Sequence, residues 1–424
     1  MNLKYTIGIL WMISLLAFAC DESPSQKEKK AMTAQDILGN PDYLAISYGG
    51  YRQNTRDVQP TVAEVKEDLK MLSAIGVRIL RTYNTELDFA TTVLKAIREL
   101  KAEDTTFEMY VMVGAWIACE NSGTEHPNHE AENVEANTGE VQRAVEMAKN
   151  YPDIVKVIAV GNEAMVKWAA EYFVQPWVIL KWVTHLQDLK KQGELPKDLW
   201  ITSSDNFASW GGGGGEYHVE DLTKLIKAVD FISMHTYPMH DTHYNPAFWG
   251  VLASERDLSK EVQLQKMMER ASSYAKSQFD SVTSYVKSLG IDKPIHIGET
   301  GWASSSNGLF SPQGSRACDE YKEGLYYQMM RDWTKAEGIS CFYFEGFDEP
   351  WKDGRNPGGS ENHFGLFTVD GQAKFPLWSL VDQGVFDGLG RNDKPVTKTF
   401  AGDKAMLLDA VNMPPLSASL ILSE

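Results

Sequence analysis

Two glutamates stand at the ends of apolar, strand-like runs: Glu163 in Val-Gly-Asn-Glu-Ala (160–164) and Glu299 in Ile-Gly-Glu-Thr-Gly-Trp (297–302). A carboxylate at the end of a buried strand costs folding energy and gives the core nothing. Two of them, on separate strands, point to joint use. Cleavage of a glycosidic bond is the chemistry that needs two converging carboxyls and no cofactor. One carboxyl protonates the leaving oxygen, and the other attacks the anomeric carbon or activates water.

The elements that must hold these glutamates alternate along the chain. Strand-like runs are predicted at 43–51, 77–83, 107–116, 155–162, 199–204, 230–237, 294–299 and 340–347. Helical patterns are predicted at 61–75, 86–100, 140–150, 176–191, 219–229, 260–289 and 318–337. The first helix opens with Thr61 and Glu64 in capping-box spacing, and Val62, Val65, Leu69, Leu72 and Ile75 share one face. Eight strands with helices between them predict an α/β fold, a single (β/α)8 TIM barrel, with the two glutamates at the C-terminal ends of strands 4 and 7. A doubly wound sheet is the alternative, but no Gly-rich phosphate fingerprint follows the first strand.

Strand bodies are apolar, whereas their C-terminal ends are polar or aromatic. In order they carry Tyr48; Arg81 and Tyr83; Trp116; Asn162 and Glu163; Asp205 and Asn206; His235 and Tyr237; Glu299 and Trp302; and Glu345, Asp348 and Glu349. One such residue alone reads as a satisfied polar group. Eight ends in register read as one face of a barrel, where active sites are found.

Val-Gly-Asn-Glu, Gly-Glu-Thr-Gly-Trp and Phe-Glu-Gly-Phe-Asp-Glu-Pro-Trp-Lys (344–352) together resemble glycoside hydrolase family 17, the β-1,3-glucanases. Arg81-Thr82-Tyr83 and His235-Thr236-Tyr237-Pro238 stand in the expected order between them. The resemblance spans roughly residues 43–352. It implies a (β/α)8 fold and retaining hydrolysis, with Glu163 as acid/base, Glu299 as nucleophile and no cofactor. Tyr237 and Arg81 are candidates to donate to Glu299, and Asn162 to hold a sugar hydroxyl. Glu349 and Lys352 match an acidic–basic pair near the catalytic centre. Trp351 and Trp302 are expected to offer faces to sugar rings, with Trp116 and Trp210 as weaker candidates.

A formal net charge of −17 argues against nucleic acid and against acidic polysaccharides. A neutral β-glucan suits this surface, bound by a monomer. His235, His240 and His243 lack a carboxylate or Cys at ligand spacing, so no metal is expected. Gly211–Gly215 lacks a following Gly-Lys-Ser/Thr and reads as a mobile loop after strand five, at the cleft edge. Ser304, Ser305 and Ser306 lack a nucleophile-elbow context. Residues 1–19 read as a signal peptide of lipoprotein type, with Cys20 lipidated and the chain held at the cell envelope, in the outer membrane. Residues 20–41 read as a polar tether, 42–385 as the barrel, and 386–424 as an extension packing on it. Of the other cysteines, a Cys119–Cys318 bridge is conceivable and Cys341 reads as a buried strand residue.

Three other readings stay open. The glycosyl-enzyme passes to a sugar rather than to water, giving a glucanosyltransferase. The fold is a retired enzyme that only binds surface glycans. Or the barrel cuts another linkage, since strand-four and strand-seven glutamates alone do not specify β-1,3 bonds.

Overall fold

The structure, a computed structural model, describes residues 32–417. Eight parallel strands close into a barrel: β1 (Leu44–Ser47), β2 (Val77–Arg81), β3 (Tyr110–Ala115), β4 (Val155–Asn162), β5 (Trp200–Asn206), β6 (Ile232–His235), β7 (Ile295–Gly301) and β8 (Cys341–Phe344). Closure comes from β1, which pairs with β2 on one side and β8 on the other, with Ala45 opposite Phe342. The expected (β/α)8 architecture is therefore the observed one. β3 is buried at every position, because one face meets the barrel interior and the other meets helices.

Seven longer helices connect the strands: α1 (Val62–Ala74), α2 (Phe89–Glu103), α3 (Val134–Asn150), α4 (Pro176–Gln192), α5 (Glu220–Ala228), α6 (Lys260–Ser288) and α7 (Glu320–Glu337). Thr61 and Glu64 form the predicted capping box at the start of α1. Pro176 opens α4, and Gly193, at φ 80°, closes it in the left-handed region that favours glycine. A two-stranded ribbon, Cys119–Glu120 with Asn128–Glu132, is not among the predicted strands, because Asn-His-Glu-Ala-Glu shows no apolar alternation.

The register slips near the strand starts at Leu44/Ala45, Val111/Met112 and Cys341/Tyr343, and near the mouth on two strands, between Ala159 and Asn162 on β4 and between Met234 and His235 on β6. Such slips turn side chains out of the regular alternation. At the opposite end the barrel is plugged. The helix Ala34–Ile37 buries Ala34 and Ile37, and Ile37 and Leu38 pack with Ala45, Ile79, Tyr110, Phe231 and Phe342. Gly39 N–H donates to Ser340 Oγ at 2.8 Å. The polar tether expected over 20–41 therefore does not reach that far. The three apolar residues in 34–38, Ala34, Ile37 and Leu38, are too few to show helical periodicity, yet they close the barrel floor.

Gly211 and Gly212 are not a free loop. Gly211 is buried at φ 90°, and a Cβ there would stand 2.1 Å from Tyr285 Cδ1 of α6. Beyond the barrel, Arg391 of a short hairpin is buried against α1, where it pairs with Asp68 at 2.8 Å and lies over the Phe347 ring at 4.2 Å. Lys322 Nζ of α7 donates to Asn412 O at 2.8 Å. Cys119, Cys318 and Cys341 are free and buried, so the conceivable 119–318 bridge is not formed. Cys20 lies outside the described residues.

Candidate active site

Glu299, at the mouth of β7, is held by three donors. Tyr237 OH reaches Oε1 at 2.6 Å, while Arg81 Nη1 and Tyr83 OH reach Oε2 at 2.5 and 2.9 Å. Burial by itself would raise this carboxyl. His235, Arg81 and the two tyrosine hydroxyls outweigh it and hold Glu299 at about 2. The same burial and the Glu299 charge push the Tyr83 and Tyr237 phenols well above their ordinary value, so both act as donors. Arg81 is itself fixed, because its Nη1 also donates to Gly298 O at 2.9 Å and its Nη2 to Asn162 Oδ1 at 2.5 Å.

Glu163 follows β4 with φ 46°, a left-handed backbone unusual for a glutamate. Its N–H donates to Ser204 O at 3.0 Å, which fixes the turn. Its Oε1 lies 3.0 Å from His235 Nδ1, and the other imidazole nitrogen lies 2.7 Å from Ser204 Oγ, which meets Ser233 Oγ at 2.9 Å. His235 is fully buried, whereas the Glu163 side chain stays 24% exposed and so faces the cleft. Gly298 makes room for this serine pair, since a Cβ there would stand 2.1 Å from Ser233 Oγ and 2.5 Å from Ser204 Oγ. Behind Glu163 lies Asp205, whose carboxyl burial raises to about 6 despite hydrogen bonds from Ser209 and from Met165 N–H.

The mouth is a cleft with two halves that meet at Glu299. One half, of about 590 Å³, is lined by Glu163, Trp168, Asn206, Phe207, Tyr237 and Tyr244, among others. The other, of about 470 Å³, is lined by Tyr83, Trp116, Asn162, Glu349, Trp351 and Lys352, among others. Phe344 and Glu361 border both. Lys352 Nζ lies 3.4 Å from Glu349 and 3.9 Å from Glu345, over the Phe344 ring. Burial, followed by the Glu349 charge, pushes the Glu345 carboxyl well above its ordinary value. Glu349 Oε1 accepts from Tyr51 N–H at 3.3 Å.

The structure thus brings Glu163, Glu299, Arg81, Tyr83, Asn162, His235, Tyr237, Glu345, Glu349, Trp351 and Lys352 around one cleft. Two expected site residues, Trp302 and Asp348, stand apart from it, and a third, Tyr48, only borders it. Trp302 is fully buried between Trp249 and Tyr326, with Nε1 donating to Ala317 O at 2.9 Å, so it offers no face to a sugar. Asp348 turns away into a buried pair with Lys374 at 2.7 Å and accepts from Gly365 N–H. Tyr48 borders the smaller half, but it is 1% exposed and its hydroxyl donates to Asp68. Trp210 is also fully buried, with Nε1 bonded to Ser233 O. Sequence reasoning does not reach Trp168, Phe207, Tyr244 and Glu361. All four lie on loops or short helices whose direction no periodicity reveals. Only its partner His240, 3.7 Å away, could have pointed to Glu361. Among the described residues no three His, Cys, Asp or Glu side chains converge as metal ligands.

Comparison with known proteins gives this arrangement its setting. The model of the BtgE/BtgC glycoside hydrolase domain matches residues 45–365. The chain is 66% identical to an endo-laminarinase from Formosa Hel1_33_131, covering 91% of this chain and 98% of that one, with a TM-score of 0.90. It is 26% identical over 327 residues to a glucan 1,3-beta-glucosidase of Arthroderma benhamiae, covering 74% of this chain and 83% of that protein. Of the Aspergillus relatives that follow, it spans only 37% to 43% of their length. The fold, though little of the sequence, is that of a family 17 beta-1,3-glucanosyltransferase from Rhizomucor miehei, at TM-score 0.53 and 20% identity over 78% of this chain and 94% of that one. From the first barrel strand to the loop beyond the last, then, the chain belongs to the BtgE/BtgC glycoside hydrolase family and is a glycoside hydrolase.

Proposed function

We propose that this enzyme hydrolyses internal bonds of a neutral β-1,3-glucan of the laminarin type, with retention, using Glu299 as nucleophile and Glu163 as acid/base. The observation that carries the reading is the contrast between the two carboxyls. Glu299, with three donors, is kept ionised and aimed, which suits attack on an anomeric carbon. Glu163 has one imidazole on one oxygen and an exposed edge on the cleft, which suits exchange of a proton with a leaving group and then with water. The name of the Formosa relative supports the polysaccharide and the internal cut. Asn162, fixed by Arg81, is a partner for a hydroxyl of the sugar that is attacked. Lys352 offers a second contact from the same half.

The test is a time course of products on laminarin, with mixed-linkage glucan and cellulose as controls, and the anomer of the first product followed by NMR. A ladder of short oligosaccharides born as β anomers supports the reading. A first product in the α form overturns the assigned roles. Products longer than an oligosaccharide donor identify a transferase instead, and silence on every glucan identifies a binding protein. We further propose attachment at Cys20 to the outer membrane, and labelling by a radioactive fatty acid that is lost on Cys20→Ala tests it.

A further inference from the structure

The smaller half of the cleft is walled in part by a segment without regular structure. Residues 48–61 run from the end of β1 to the start of α1, and Gly49, Tyr51 and Arg56 among them line that half. Tyr51 N–H donates to Glu349 Oε1 at 3.3 Å, its ring meets Trp351 edge-on at 5.7 Å, and Arg56 lies over the same indole at 4.4 Å. Gly49 lies flat on Glu349, since a Cβ there would stand 1.8 Å from Oε1. Among the described residues no backbone–backbone hydrogen bond joins 49–60 to the barrel, so side chains must hold this wall in place.

Two arginines from distant stretches of the chain do so through one aspartate of α1. Arg52, of the loop itself, donates from Nη2 to Glu64 O at 2.9 Å and to Asp68 Oδ1 at 3.1 Å. Arg391 comes from the hairpin that pairs Gly390 with Pro395, beyond the residues 45–365 that match the family domain. It is wholly buried, and it donates from Nε to Asp68 Oδ1 at 2.8 Å and from Nη2 to Asp68 Oδ2 at 3.1 Å. The same Nη2 reaches Gly50 O at 3.3 Å. Pairing with Asp68 needs only a cation, and Arg52 is already one. The bond to Gly50 O does something further, because it grips the backbone one residue before the Tyr51 amide that meets Glu349. We propose that Arg391 is a positioning residue: it holds the 48–61 wall against Glu349 and so sets how tightly the smaller half of the cleft binds a glucan. This rests on the proposed function for the identity of the ligand. It makes the segment that follows the family domain part of the working cleft.

The experiment joins kinetics on laminarihexaose to hydrogen exchange in the full chain. Arg391→Lys keeps a charge beside Asp68 but loses the fork that spans Asp68 and the Gly50 carbonyl. It is expected to raise KM at least fivefold with kcat held within about twofold. Exchange in the peptide over 48–56 should quicken, while that over α1 stays as it was. Arg391→Met should raise KM further. Lys374→Met, which removes another buried cation from the same stretch of chain, is the control for lost stability and should move neither KM nor the 48–56 exchange. An unchanged KM or an unchanged exchange in both Arg391 variants overturns the role, as does an equal rise in KM in Lys374→Met. A wild-type enzyme silent on laminarihexaose overturns the proposed function, and the role in binding with it.

Discussion

Glu299 and Asp348 are the same kind of residue in the same kind of place, yet they have different fates. One stands in the mouth end of a barrel strand and the other just beyond such an end, both are almost wholly buried, and both face a buried cation: Arg81 at 2.5 Å for Glu299 and Lys374 at 2.7 Å for Asp348. Glu299 borders both halves of the cleft. Asp348 meets Lys374, the Gly365 amide and, at 3.9 Å, His363 Nδ1, and Glu323 approaches the same lysine at 3.6 Å. A buried ion pair is therefore no signature of chemistry. What separates Glu299, the proposed nucleophile, from Asp348 is that Glu299 lines the cleft.

The largest effect that would test this contrast is Glu299→Gln, expected to lower kcat/KM by about 10⁴-fold or more on every substrate. If Glu299 has the proposed role, the fold should hold, because functional residues are commonly kept at a cost to stability. Being held at about 2, below its ordinary 4.5, Glu299 contributes stability above pH 4.5 that is lost as pH falls toward 2. Acid denaturation curves should accordingly be shallower over that window in the variant. Glu163→Gln is expected to cost about 10²–10⁴-fold on oligosaccharides, and least on substrates with activated leaving groups. Equal loss on both substrate types would break the assignment of acid/base and nucleophile.

Lys374→Met should show the opposite pattern to Glu299→Gln. Leaving Asp348 buried without its cation should cost about 3–5 kcal/mol of stability in denaturant titration, with kcat/KM of the folded fraction little changed. Loss of activity without loss of stability would return Asp348 to the site. The smallest effect expected is from Tyr237→Phe, about 10–100-fold in kcat/KM, the worth of one hydrogen bond to a charged group. With that donor gone, burial is opposed less and the Glu299 carboxyl rises. The acid limb of the kcat/KM profile should therefore move to higher pH.

The barrel and most of the cleft are legible in the sequence because period and position carry them. Apolar runs that end in Arg81, Asn162, Glu163, His235, Tyr237 and Glu299 identify strands and mouth together. The tryptophans show where that legibility stops. Trp302 reads as a platform because it follows Glu299 by three residues, but the strand carries it into a packed layer with Trp249 and Tyr326. Trp168 sits five residues after Glu163 and faces the cleft. Side-chain direction in the loop after a strand is set by tertiary contacts, here Lys167 N–H on Tyr217 OH, and no local pattern records it. The floor helix at Ala34–Ile37 escapes for a related reason: its few apolar residues gain meaning only from the barrel they close.

Gly298 has a consequence for the energetics of the whole site. Its carbonyl accepts from Arg81, which steadies Glu299, and its missing side chain admits the Ser204–Ser233 pair, which steadies His235 and through it Glu163. One residue without a side chain therefore underlies both supports. Changes on the Arg81 side and on the Ser204 side should not add as independent losses, and a double-mutant cycle between Arg81→Lys and Ser204→Ala should return a non-zero interaction energy.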